Sequence, residues 1–473
     1  MQELQPANAG WVLTSASFVL LTTLGLAFFY GGLVRQKNVL STLGHTFFIL
    51  ALVSVQWVLL GYSLAFGPDR WGLIGGLDWL GLAHIGNQPS PYYASTVSQQ
   101  AHVFTELTVA VLTSALITSA FAERGRFKTV VIFGVLWTTL VYDPVAHWAW
   151  GHGGWMGTLK VLDFAGGTVV HISGGVSALV AAWVLGPRRR NQEPREPHDA
   201  TMTLLGTGLL WIGWFGFTGG NALVSNAEAG SVLVTTNTSA ATAMLTWLGV
   251  SWARQQQPSV LGGAMGAFAG LVAITPAAGF VSPAAAILIG FGAGLFCYAA
   301  VQLKHRFTAN DPLDAWPVHV VGGIWGALAT GLFASVAANA GGGNGLFAGN
   351  PIQLINQVIG VVVVMIYAGG MTWLILKLLG RFMQLRVAET EEELGLDVSQ
   401  HGESAYQFYQ DLTRRLLAAR EEERRRIAYE VHDGLAQIVS STHQHLQAFA
   451  HQHPTDSPEA QAKLTRTMEL AQR

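Results

Sequence analysis

The chain has 473 residues, 51% of them hydrophobic and only 11% charged, and its mean hydropathy is +0.37. Soluble domains carry charges on about a quarter of their residues, so this composition excludes an ordinary soluble protein and indicates a membrane protein. A net charge of -2 offers nothing to nucleic acid, and the lone Cys297 excludes a disulfide framework or a thiolate metal cluster.

The N-terminal MQELQPANAG has no basic leader, so the first apolar stretch is expected to be a retained span and not a cleaved signal. Apolar runs lie near 11–33, 44–67, 100–122, 128–150, 168–186, 201–218, 232–252, 260–279, 283–303, 316–337 and 354–378. Each is about 18–25 residues, the length that crosses a hydrocarbon core. They predict an all-α membrane protein of eleven transmembrane helices with termini on opposite sides. Alternate connections hold Arg35, Lys37, Arg124, Arg126, Lys128, Arg188, Arg189, Arg190, Arg195, Arg254, Lys304 and Arg306, against Arg70 and Lys160 in the others. Basic connections stay in the cytoplasm. The N-terminus is therefore expected outside and the C-terminal tail inside, in the cell (inner) membrane. The GGGNG stretch at 341–345 follows no strand and holds no lysine, so it reads as a plain loop and not a phosphate cradle. Much of the glycine falls in pairs within the spans, where small residues let helix backbones approach.

Two histidines sit inside these apolar segments and open the same pattern. His171 heads H-I-S-G-G-V-S-A-L, and His319 heads H-V-V-G-G-I-W-G-A-L. An ionisable residue at membrane depth is costly and marks a pathway or a pairing partner. Either histidine alone could be a core residue bonded to backbone. The matched pair instead suggests two structural repeats that each send one histidine to a shared axis.

Several runs then converge on a family: A-E-R-G-R-F (122–127), D-F-A-G-G-T-V-V-H (163–171), W-F-G-F (214–217), I-T-P-A (274–277) and N-D-P-L-D-A-W-P-V-H (310–319). Together they resemble the ammonium transporter/methylammonium permease/Rh family over about residues 8–406. The resemblance implies a homotrimer of eleven-helix subunits, each with its own pore, and an inverted repeat of helices 1–5 and 6–10. It makes Trp150 the outer-vestibule tryptophan, where an ammonium ion meets an aromatic face, and Phe104 and Phe217 two stacked rings that close the pore below it. His171 and His319 would line the path beyond that gate and share a proton between ring nitrogens. Asp163 lies eight residues before His171, which places it about two turns away on the same helix face. The family's matching aspartate supports the cation site indirectly, although Asp163 is also placed as a helix N-cap. The family usually sets a serine beside the vestibule tryptophan. Here Asn221 stands in its place, with an amide that can accept from ammonium or, if flipped, oppose it.

After the last span, E-E-E-L-G-L-D-V-S-Q-H-G-E-S-A-Y (391–406) resembles the family's C-terminal signature, which packs on cytoplasmic loops. From about 408 the chain turns charge-dense, with Leu412, Leu416, Ile427, Val431, Leu435 and Ile438 on one helical stripe, as in a coiled coil. Within it E-E-R-R-R-I-A-Y-E-V-H-D-G-L-A-Q resembles the phosphoacceptor box of nitrate/nitrite-type sensor histidine kinases. That makes His432 the phosphoacceptor, Asp433 its polarising neighbour and Gln437 the group that positions a water for dephosphorylation. Pro454 and Pro458 mark the start of a second helix of the dimerisation hairpin. Only 41 residues follow His432, too few for an ATP-binding domain, so autophosphorylation is expected to need a kinase domain from a longer chain or another protein.

The expected organisation is a transporter membrane domain at 1–386, a coupling segment at 387–407 and a phosphoacceptor region at 408–473. The expected function is an ammonium sensor that also transports, conducting ammonia with a proton. A pure receptor, or a conduit for another small neutral solute such as carbon dioxide, are the alternatives. The partners are ammonium, the bilayer, a response regulator and a kinase ATP-binding domain. No cofactor and no metal is expected.

Overall fold

The computed structural model describes residues 3–90, 92–188, 197–304, 313–454 and 456–472, with backbone alone at 407–414 and 472. Arg189, Arg190, Arg195, Arg306, the motif residues Asn310, Asp311 and Pro312, and the Leu412 side chain lie outside the described residues. Among the described residues the regular structure is helical apart from a short hairpin pairing Asp69–Arg70 with Ile74–Gly75 and two isolated bridges, Pro89 with Ser98 and Gly125 with Arg386. It divides into two units, Met1–Ala405 and Tyr406–Arg473.

In the first unit the helices are α1 (Pro6–Leu33), α2 (Gln36–Phe66), α3 (Gln99–Phe121), α4 (Phe127–Thr158), α5 (Gly167–Leu185), α6 (Ala200–Gly220), α7 (Ala227–Gln255), α8 (Val260–Ile274), α9 (Pro283–Leu303), α10 (Ala315–Phe333) and α11 (Pro351–Phe382). Nine of these, all but α7 and α8, are long and apolar enough to cross a membrane among the described residues. Their starts follow from local chemistry. Ser98, Asp199, Asn226, Ser259 and Ser282 each accept a backbone N–H with the side chain, capping α3, α6, α7, α8 and α9. Helix α8 stops at Ile274, short of the 260–279 run read from the sequence. Pro276 has no N–H to continue the ladder, and the Thr275 hydroxyl takes the Leu271 carbonyl at 2.8 Å.

Glycine sets the closest packing. A β-carbon at Gly25 would stand 2.6 Å from the backbone N of Leu210, and one at Gly206 would stand 2.3 Å from that of Phe29. Helices α1 and α6 therefore touch backbone to backbone, as small residues permit in a bilayer. Large apolar side chains such as Phe18, Phe47, Phe48, Leu245, Phe291 and Ile366 cover the outer surface, where lipid is the compatible solvent.

After α11 the chain folds back as α12 (Glu389–Leu394) and α13 (Leu396–His401). The Asp397 carboxylate accepts the N–H groups of Leu40 at 3.1 Å and Ser41 at 2.7 Å. Leu396 N–H donates to the Asn38 amide oxygen at 2.8 Å, and Lys37 Nζ donates to the Glu393 carbonyl at 2.6 Å. The beginning of α2 is thus held by the tail. Beneath it, Glu123 is paired with Arg35 at 3.1 Å and with Arg188. Burial alone would raise the Glu123 carboxyl, but the Arg188 and Arg35 guanidinium groups outweigh it and hold it below the usual carboxylate range.

The second unit holds α14 (Gln407–Gln452) and α15 (Pro458–Gln472). Proline occupies the first position of α15, where its missing N–H costs nothing. The Met468 carbonyl lies 3.1 Å from His443 Nδ1, so the two helices touch.

Candidate functional site

Trp150 ends the regular part of α4 and is held by its indole N–H, which donates to the Asp163 carbonyl at 2.9 Å. The Asp163 carboxylate faces the other way. It accepts the N–H groups of Gly166, Gly167 and Thr168 at 2.9, 2.6 and 2.7 Å, and also the Thr168 hydroxyl. Residues 163–166 are not helical, and Gly166 has φ +117. This corrects the placement of Asp163 two turns from His171 on one helix face. The left-handed glycine folds the carboxylate over the first turn of α5, where free N–H groups and the helix dipole favour an anion. One residue therefore caps α5 with its side chain and orients Trp150 with its backbone.

Below, His171 and His319 face each other. Their Nδ1 atoms are 3.3 Å apart and their rings lie 5.2 Å apart at 22°. Trp214 stacks on His171 at 5.5 Å, Phe217 meets it edge-on at 6.3 Å, and Phe268 meets His319 edge-on at 5.1 Å. All five rings are buried. Helix α5 opens with a π-helical turn, Gly167–Ile172, that carries His171. Such turns occur often where a side chain must be re-aimed for function.

The hydrogen-bond count orders the protons. Thr275 N–H bonds to the Val272 carbonyl, so the Leu271 carbonyl is left to the Thr275 hydroxyl. Having donated there, the hydroxyl oxygen can only accept, and it receives the Trp214 indole N–H at 3.1 Å. His171 Nε2, also at 3.1 Å, must then be the protonated nitrogen. The Nδ1 atom of a neutral His171 is left as acceptor, so His319 Nδ1 donates to it. His319 Nε2 keeps a free lone pair, and it is indeed a buried nitrogen with no partner among the described residues. Thr275 and Trp214 were not picked out as site residues in the sequence. The only signal was their membership of the I-T-P-A and W-F-G-F runs.

Phe217 is in place beside His171, but Phe104 is not with it. Phe104 is half-buried on the stripe it shares with Leu107, while Thr105, Glu106, Thr108 and Val109 are buried. The ring contacts of Phe217 among the described residues are with His171 and Trp214. The expected stacked pair is thereby corrected: helix rotation carries position 104 to a different face from the buried one. Asn221 follows α6, and its Nδ2 donates to the Phe217 carbonyl at 2.7 Å. One of the two amide N–H groups is thus used, and Oδ1 is the acceptor atom of the side chain.

On α14 the His432 and Asp433 side chains are 80% and 83% exposed, with Nδ1 and Oδ1 3.3 Å apart. Gln437 is exposed as well, along with Leu416, Ile427, Val431, Leu435 and Ile438.

The Ammonium Transporter Family matches residues 10–406, and a histidine kinase family matches residues 423–473. An ammonium transporter of Bacillus subtilis (strain 168) is 47% identical over 405 residues, covering 85% of this chain and 99% of its own length. The crystal structure of Saccharomyces cerevisiae Mep2 is similar with a TM-score of 0.78 and 34% identity, over 82% of this chain and 89% of that one. A solved sensor Amt protein is similar with a TM-score of 0.77 and 30% identity, over 84% and 98%. The chain belongs to the ammonium transporter family and carries a histidine kinase domain fused behind it.

Proposed function

We propose that this protein is an ammonium sensor that also transports. Ammonium binds between the Trp150 face and the Asn221 amide oxygen and crosses along His171 and His319 as ammonia together with the proton it sheds. The observation that carries this reading is the buried histidine pair, which closes to 3.3 Å inside a box of aromatic rings. A neutral pair with one free lone pair can receive an N–H of ammonia without offering a fixed charge, which disfavours a bare potassium ion. We further assign eleven spans in an inverted five-plus-five repeat, a homotrimer in the inner membrane with its N-terminus outside, and division at 386 and 407. Residues 391–406 would couple ammonium binding to His432, with Asp433 polarising His432 for phosphorylation and Gln437 positioning a water for dephosphorylation of a response regulator.

A second reading, a receptor with negligible transport, is favoured by the kinase domain and the similarity to a sensor Amt protein. Methylammonium uptake and charge movement in liposomes, measured with ammonium affinity by calorimetry, decide between the two. Uptake abolished by His171→Ala with affinity intact supports transport. Binding without uptake or charge movement in the wild type leaves the receptor.

A further inference from the structure

A second group of buried polar side chains lies off the path just described. Two π-helical turns, Trp57–Gly61 in α2 and Thr138–Tyr142 in α4, meet at the residues that flank them. Gln56 Nε2 donates to Asp143 Oδ2 at 2.8 Å and to Thr139 Oγ1 at 3.1 Å. On α3, His102 Nδ1 is 3.1 Å from the Tyr62 hydroxyl, and Nε2 is 3.6 Å from Glu106 Oε1. The four residues Gln56, His102, Glu106 and Asp143 are at most 7% exposed. Neither carboxylate has a lysine or arginine partner among the described residues.

Glu106 Oε2, Asp143 Oδ1 and Gln56 Oε1 are buried without a hydrogen-bond partner among the described residues. All three are acceptors, and the buried Tyr142 hydroxyl that faces both carboxyls can satisfy at most one of them, so the group is short of donors. An unpaired carboxylate at membrane depth is among the costliest side chains to bury. A bound proton removes the charge and supplies one O–H donor in the same event. Tyr93 stacks on His102 at 5.1 Å and its hydroxyl accepts the backbone N–H of exposed His152 at 3.1 Å, so the group sits one aromatic ring from the surface.

We propose that Glu106 and Asp143, with His102, Tyr62 and Gln56, form a second proton-binding site of the membrane unit, separate from the twin-histidine path. A proton arriving at the Tyr62 oxygen displaces the Tyr62 hydrogen to His102 Nδ1, and His102 Nε2 releases its own to Glu106, leaving a neutral carboxylic acid. The other titratable groups that face the site are Tyr93 and Tyr142, both within electrostatic reach of Glu106. The one titratable residue of α5, His171, belongs to the twin-histidine path, and that of α1, Tyr30, lies near the C-terminal end of its helix.

Infrared difference spectra of the full chain in lipid, between pH 5 and pH 9 without ammonium, test this. The wild type should show a protonated-carboxyl band that shifts in heavy water and weakens as pH rises. Glu106→Gln or Asp143→Asn should remove a component of it, with ammonium affinity at the vestibule unchanged. Glutamate labelled with carbon-13 at the carboxyl should move the Glu106 component in the unsubstituted protein, so the test survives a variant that does not fold. A band absent throughout, one indifferent to pH, or one that follows ammonium at fixed pH would each overturn the proposal.

Discussion

A β-carbon on Gly175 would stand 2.9 Å from the β-carbon of His319, and one on Gly323 would stand 3.1 Å from that of His171. Each glycine sits four residues after one histidine and makes room for the other. The duplicated motif is therefore a reciprocal device, in which each copy clears the space its partner fills. Gly175→Ala and Gly323→Ala should each cost about 1–3 kcal/mol by overpacking and push the rings apart. Methylammonium uptake should fall at least tenfold in both, with calorimetric ammonium affinity within threefold of wild type.

Thr275 supports His171 from beneath. Thr275→Val strands the Trp214 N–H and the Leu271 carbonyl, at about 1–3 kcal/mol for each buried group, and frees the tautomer of His171. Nitrogen-15 NMR of labelled histidine should show one ordered tautomer pair in the wild type and in Thr275→Ser, and a mixture in Thr275→Val. Identical spectra in all three would remove Thr275 from the site.

At the vestibule, Trp150→Leu should abolish ammonium binding, whereas His171→Ala and His319→Ala should spare it and stop uptake. Asn221→Ser should bind within tenfold of wild type, about 1.4 kcal/mol, because a serine hydroxyl can donate to the Phe217 carbonyl and still accept. Asn221→Ala keeps neither bond and should weaken binding more. Titration of the two variants side by side separates these outcomes.

Glu123 makes the tail platform acid-sensitive. Its carboxyl is held below the usual range, so the folded state binds this proton less readily than the unfolded one. The stabilisation is present above the ordinary glutamate value of about 4.3 and is lost as pH falls through the lower folded value. Thermal unfolding of the membrane unit should shift downward below about pH 4, and Glu123→Gln should be less stable at pH 7 and lack that part of the acid transition.

The tail contact also carries a signalling prediction. Asp397→Ala removes the acceptor for two N–H groups at the beginning of α2 and should cost about 0.5–2 kcal/mol, the range for a lost helix cap. With a kinase domain supplied, ammonium should change phosphorylation of His432 in the wild type. Deleting 391–406 should abolish that response without changing ammonium affinity. Phosphorylation that follows ammonium equally well without the segment would show that the signal takes another route.

Membrane class, helix positions and family could all be read from residue order, because each is written in short windows. Charge scarcity, span length and runs such as D-F-A-G-G-T-V-V-H need no knowledge of distant residues. The twin histidines were also visible, since duplication is a pattern along the chain. Only tertiary packing decided what those residues touch. Phe104 turned to a half-buried face because helix rotation about its axis is set by neighbours. Asp163 became a cap because Gly166 reversed the backbone, and the Thr275 hydroxyl reached His171 across 104 positions of sequence. Gln56 and Asp143, 87 positions apart, met only once two helices had packed. Hydrogen bonds act over about 3 Å, so partners far apart in sequence are chosen by packing and not by local pattern.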